Sequence, residues 1–110
     1  MEASMQIPVF PELDEAGLLI DPEQWNETVA VELAHSLGIK DLSPDHWLVI
    51  NALRKYYFDF GTAPAMSHVC HTHDKNHLWV HDLFATCLNA WRVAGLPDPG
   101  EEAKSYLSGM

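Results

Sequence analysis

Two cysteines, Cys70 and Cys87, and the histidines His68, His71, His73, His77 and His81 are the residues of this 110-residue chain whose chemistry stands out. A thiolate can carry sulfur or ligate a soft metal, and clustered imidazoles suit borderline metals such as Zn, Ni or Cu. The five histidines fall within fourteen residues, next to Cys70, Asp74 and Asp82. If one helix runs through the segment, His77 and His81 are i, i+4 neighbours and His73 extends the stripe, so His73, His77 and His81 are the candidate metal ligands. Against this, the spacing matches no closed zinc pattern, and Cys70-His71-Thr72-His73 lies across an expected helix end. Surface or core histidines are the plainer reading, and a face that gains positive charge below about pH 6.5 is another. No cofactor beyond such a metal is implied. The two cysteines read first as small buried hydrophobes.

Other chemistry finds few residues to carry it. The chain has no Gly-rich phosphate loop, no nucleophile elbow and no spaced carboxylate pair beside a base. Six Lys and Arg against sixteen Asp and Glu give a formal charge of -10, which repels phosphate backbones and anionic membranes. Apart from the pair Arg54-Lys55 the basic residues are scattered, so neither nucleic acid nor membrane is an expected partner. Two cysteines 17 residues apart, with no basic-then-apolar leader, indicate neither a disulfide framework nor export, and a reducing cytoplasm is expected.

The elements that must position these residues follow from caps and periodicity. Length predicts one domain over 1–110, with 1–8 and 98–110 mobile. Weak alternation from Gln6 to Phe10, the turn residues Asp14 to Gly17 and apolar Leu18-Leu19-Ile20 predict a small N-terminal β-hairpin. Asp21-Pro22-Glu23 predicts a helix over about 22–37, with Trp25, Val29, Leu33 and Leu37 on one face until Gly38. Ser43 as N-cap predicts a second helix in which Trp47, Ile50, Leu53, Tyr57 and Phe60 form an apolar face up to Gly61. Pro64 opens a shorter helix to about Thr72, and Asn76 to Val93 reads as one long helix ended by Gly95 and Pro97. The helices flanking Gly61 to Pro64 are spaced for a helix-turn-helix, but Pro64 to Thr72 carries no Lys or Arg. The fold class is mainly α with a small β element.

Several segments in order resemble the DsrC/TusE family of sulfur-relay proteins. They are Asp14, Gly17, Leu18, Leu19, Trp25 and Ala30; then Leu42, Ser43, His46, Trp47, Tyr56, Phe60, Gly61, Pro64 and Ala65; then Asn76, Trp79, Val80, Leu83, Phe84, the run Val93 to Pro97, and Pro99. The resemblance covers about residues 10–100. It implies an α-rich fold with a short β-hairpin, a helix-turn-helix-like core and a flexible C-terminal arm ending in a penultimate cysteine. In DsrC-type members a second cysteine precedes the A-G-L-P turn, whereas TusE-type members keep only the penultimate one.

Counted from Ala94-Gly95-Leu96-Pro97, the inner cysteine position is Trp91 and the penultimate one is Glu102. Neither side chain can attack and hold a sulfane sulfur. Lys104 to Met110 extend past the family's usual end, and Ser67 and Asp82 stand where arginines are common. The segment between the third and fourth expected helices is several residues shorter than in the family, and a second small deletion lies between Phe84 and Trp91. Arg92 matches a basic position beside the family cysteine, so Arg92, Trp91 and Glu102 are the candidate partner-binding residues. The resulting expectation is a non-catalytic relative that binds or regulates a sulfite reductase-like or sulfurtransferase-like partner. The alternatives are a sulfur carrier using Cys87, which shares a helical face with Trp91, or Cys70, and a metal-binding module on the His68 to His81 cluster. The sequence does not set the oligomeric state.

Overall fold

The computed structural model describes residues 11–109. They form six α-helices preceded by a short turn region: α1 (Glu27–Ser36), α2 (Pro44–Phe60), α3 (Met66–Thr72), α4 (Trp79–Phe84), α5 (Cys87–Val93) and α6 (Glu101–Ser108). The short helix α5 is the hub, packing against α1, α2, α4 and α6. Five of its seven residues, Cys87, Leu88, Ala90, Trp91 and Val93, are buried. Around it Val29, Ala30 and Leu33 of α1, Val49, Ile50 and Leu53 of α2, and Val80 and Phe84 of α4 close one continuous apolar core. No helix among the described residues is long and apolar enough to cross a membrane.

Helix α2 forms where capping chemistry puts it. The Ser43 side chain accepts from the backbone N–H of His46, Pro44 occupies the first turn, and Gly61 ends the helix at φ 74. The His46 ring completes the cap. The Ser43 backbone N–H donates to its Nδ1 at 3.0 Å, which leaves the hydrogen on Nε2 to donate to the Leu83 carbonyl at 2.9 Å. His46 also sits edge-on to Phe84, and the Trp79 indole N–H donates to Asp45, so the start of α2 is tied to both ends of α4.

Five expectations are corrected. The β-hairpin reduces, among the described residues, to one antiparallel bridge between Leu13 and Leu19, with no strand; its expected first arm, Gln6 to Phe10, lies outside them. The Asp14 carboxylate accepts from the N–H groups of Ala16 and Leu18, closing a tight turn, and Leu18 and Leu19 are both fully buried instead of alternating in and out. The first helix starts at Glu27, because Pro22–Gln24 is a separate 3-10 turn and the Asn26 side chain caps α1 by accepting from Val29 N–H. The third helix likewise begins at Met66, after Pro64 and Ala65.

The long helix over 76–93 is two short ones. Ala85 takes φ 73 at the end of α4, and Thr86 restarts the chain by accepting from Asn89 N–H. The Asn89 amide also donates to the Phe84 carbonyl, which would otherwise be left open at the break. A non-glycine residue at positive φ is strained by roughly 1–2 kcal/mol. Ala85→Gly is therefore expected to stabilise the fold by about 1 kcal/mol net of glycine's greater chain entropy, read as a rise of a few degrees in Tm.

The tail expected to be mobile from residue 98 is instead a docked helix. The Asp98 carboxylate accepts from Gly100 N–H at 2.7 Å and from Lys104 Nζ at 3.0 Å, fixing the first turn of α6, and these two contacts pull its pKa below the usual range. Leu107 is fully buried, and the Tyr106 hydroxyl accepts from Met66 N–H at the start of α3. One apolar side chain per turn, placed against the body of the protein, is enough to dock a helix that the charge pattern alone presents as solvated.

Candidate functional site

The residues singled out around the Ala94-Gly95-Leu96-Pro97 turn lie on α5, the turn and α6. Trp91 is fully buried in the centre of the core, its indole N–H donating to the Pro97 carbonyl at 2.7 Å and its ring edge-on to Tyr57 at 5.9 Å. The indole thus fills the space beneath the turn. Glu102 lies exposed on the first turns of α6. One position is a packed core and the other a solvated helix face, so the two have no common surface chemistry.

The turn itself is held by residues that sequence reading did not bring together. Gly95 has φ 69, and a Cβ built there would stand 2.0 Å from Trp25 Cδ1. The Trp25 indole N–H donates to the Val93 carbonyl at 2.9 Å. Arg54 stacks over the Trp25 ring at 4.1 Å while donating to the carbonyls of Ala94 at 2.7 Å and Pro22 at 3.3 Å. Burial lowers the Arg54 pKa, but a guanidinium keeps its charge, and here it satisfies carbonyls at the end of α5 where a cation is favoured. The available signals were Gly95, whose positive φ only glycine takes readily, and an arginine just before the aromatic run Tyr56 to Phe58.

Arg92 makes structural contacts of its own. Its Nε donates to the Ala16 carbonyl and its guanidinium to the Asn89 side chain, each at 2.7 Å. It therefore pins the Asp14–Gly17 turn to α5. Arg92→Ala is expected to cost about 2 kcal/mol in chemical denaturation, because a part-buried carbonyl loses a charged donor.

Cys70 and Cys87 are buried thiols. Cys87 is 2% exposed at the start of α5, and burial, then the nearby Cys70, pushes its pKa up to about 11. At pH 7 that leaves about one thiolate in ten thousand, a poor nucleophile for sulfur. The histidines do not form the expected stripe. His73 ends α3 with its Nδ1 2.9 Å from the Val69 carbonyl and its ring against Trp79, His77 precedes α4, and His81 lies within it. Among the described residues no group of three or more His, Cys, Asp or Glu is placed to hold a metal ion. The helix that would have aligned His73, His77 and His81 does not exist.

A family model described as DsrC-like protein matches residues 10–101. The chain belongs to the DsrC-like family. Relatives named Sulfurtransferase TusE, from Shigella dysenteriae serotype 1 and Escherichia coli K12, are each 35% identical over 97 residues, spanning 80% of this chain and 88% of the relative. Among solved structures the fold is similar to the oxidized gamma-subunit of the dissimilatory sulfite reductase (DsrC) from Archaeoglobus fulgidus. That match has a TM-score of 0.74 and 33% identity over 83% of this chain and 90% of the other. A chain of dissimilatory sulfite reductase I (DsrI) matches with a TM-score of 0.75 and 29% identity, covering 82% and 88%. The DsrC-like assignment agrees with the ordered motifs from Asp14 to Pro99.

Proposed function

We propose that this chain is a binding or regulatory member of the DsrC-like family, working with a sulfur-relay or sulfite-reductase type of partner in the cytoplasm and carrying no sulfur itself. The observation that supports this most is Glu102, at the position of the one cysteine that TusE-type members keep: a carboxylate on an exposed helix face can meet a partner but has no electron pair suited to a sulfane sulfur. Trp91 adds to it, since a fully buried indole bonded to Pro97 fills the position of the second thiol of DsrC-type members and is part of the packing that holds the turn.

The names of the relatives favour a second reading, a carrier that uses Cys87 or Cys70. It asks a buried thiol to leave the core, and for Cys87 one with a raised pKa on the hub helix, whereas relay chemistry favours an exposed thiol of low pKa. Binding separates the two. The Cys70→Ala/Cys87→Ala double variant, checked for fold by circular dichroism, is expected to bind purified sulfurtransferase-type and sulfite-reductase-type proteins with the affinity of the parent chain in calorimetry. Loss of that binding in the folded double variant would favour the carrier.

A further inference from the structure

Helix α3 is a ridge between two concavities that share His68. On one side, against α2, lies a groove of about 430 Å³ built on Ala52, Tyr56 and Val69, with Leu48 and Phe60 on its rim. Phe60 is 67% exposed and Leu48 45%, so α2 turns two large apolar side chains to solvent beside a hollow that they do not fill. On the other side His68, His71, Lys75 and His77 surround a second hollow of about 490 Å³ with Ser67 and Cys70. Among the described residues only one carboxylate, Asp59, lines either hollow, and it is held by Lys55 at 2.8 Å. Asp74, exposed just beyond α3, lines neither.

This distribution is unusual for a chain of formal charge -10. Carboxylates outnumber cations over the chain as a whole, whereas along α3 an apolar groove adjoins a rim of one ammonium and three imidazoles, which complements an acidic segment. The α2 rim residues Leu48, Ala52, Tyr56 and Phe60 are spaced by four, as the wall of a groove that receives another helix must be.

We propose that the α2–α3 face is a docking site for an acidic, amphipathic helix of a protein partner. Its apolar stripe enters the groove between Leu48 and Phe60, and its carboxylates meet His68, His71, Lys75 and His77. The proposal rests on the partner-binding reading above and names the surface and the chemistry of the partner.

The test is an NMR titration of the full-length, 15N-labelled chain with a helical probe peptide of roughly sixteen residues, carrying Leu and Phe at i, i+4, i+7 and Glu elsewhere. The expected result is saturable shifts confined to α2 and α3, centred on Phe60, His68 and Val69. Binding should weaken about tenfold for Phe60→Ala, and by at least as much for the same peptide with Lys in place of Glu. Both hot-spot candidates on the groove rim are exposed, so their substitution leaves the core intact. No binding at millimolar peptide, shifts elsewhere, or equal binding of the Lys peptide would overturn the proposal. So would a nucleic-acid duplex or a second copy of the chain occupying the same face more tightly than the probe. Sulfur labelling of the chain is a separate readout, so a carrier result and a docking failure remain distinguishable.

Discussion

Gly95→Ala is expected to destabilise the protein by about 3–5 kcal/mol, enough to bring a small domain close to unfolding at room temperature. The added Cβ would stand 2.0 Å from Trp25 Cδ1 and 2.5 Å from Cγ, distances no real pair of atoms can keep. Either the turn or the indole must move. If Trp25 moves, its hydrogen bond to the Val93 carbonyl and the Arg54 stacking are lost together, and three carbonyl partners of Arg54 lose their geometry. Gly38 separates backbone strain from collision, because it has φ 86 but nothing within 4 Å of a built Cβ. Gly38→Ala should cost only about 1 kcal/mol, so urea denaturation of the two variants should differ by several kcal/mol. Equal costs would mean that the Trp25 contact does not constrain the turn.

Trp91→Cys has the second large effect, and it also bears on function. Placing a thiol at the expected inner cysteine position should not create a relay site, because the indole it removes is core. A buried Trp reduced to a small side chain leaves a cavity and typically costs about 3–5 kcal/mol. Here the Pro97 carbonyl additionally loses its donor and Tyr57 its ring partner. We expect Tm to fall by about 15 °C. A Trp91→Cys protein that kept the parent's Tm would show that the position is tolerant and that the indole is incidental.

How much of this was legible in the sequence varies from element to element for physical reasons. Helix α2 was readable because its signals are local: Ser43 caps it, Pro44 starts it and Gly61 stops it. The break between α4 and α5 was not, since Ala85 adopts a positive φ without glycine or proline to announce it, although Thr86 three residues before Asn89 is a cap pattern in retrospect. Helix α6 was hidden by its polar composition. Its docking depends on Leu107 and on the Tyr106 hydroxyl meeting α3, contacts between distant parts of the chain. The clamp of Trp25, Arg54 and Gly95 is non-local in the same way, and no window of sequence contains it. The site residues divide likewise. Counting from the A-G-L-P turn placed Trp91 and Glu102, while the roles of Arg92 and of the histidines depended on where helices begin and end.

The central claim is that this DsrC-like chain binds without carrying sulfur, and the direct measurement is intact-mass analysis of the reduced protein after exposure to a sulfane-sulfur donor and a cysteine desulfurase. A relative that has the penultimate cysteine is labelled in parallel. The relative should gain one sulfur atom and this chain none, in keeping with buried thiols of which Cys87 has its pKa raised to about 11. A stable gain of one sulfur on this chain, mapped to Cys87 or Cys70 and removed by the matching Cys→Ala substitution, would contradict it and make the protein a carrier with a relocated thiol.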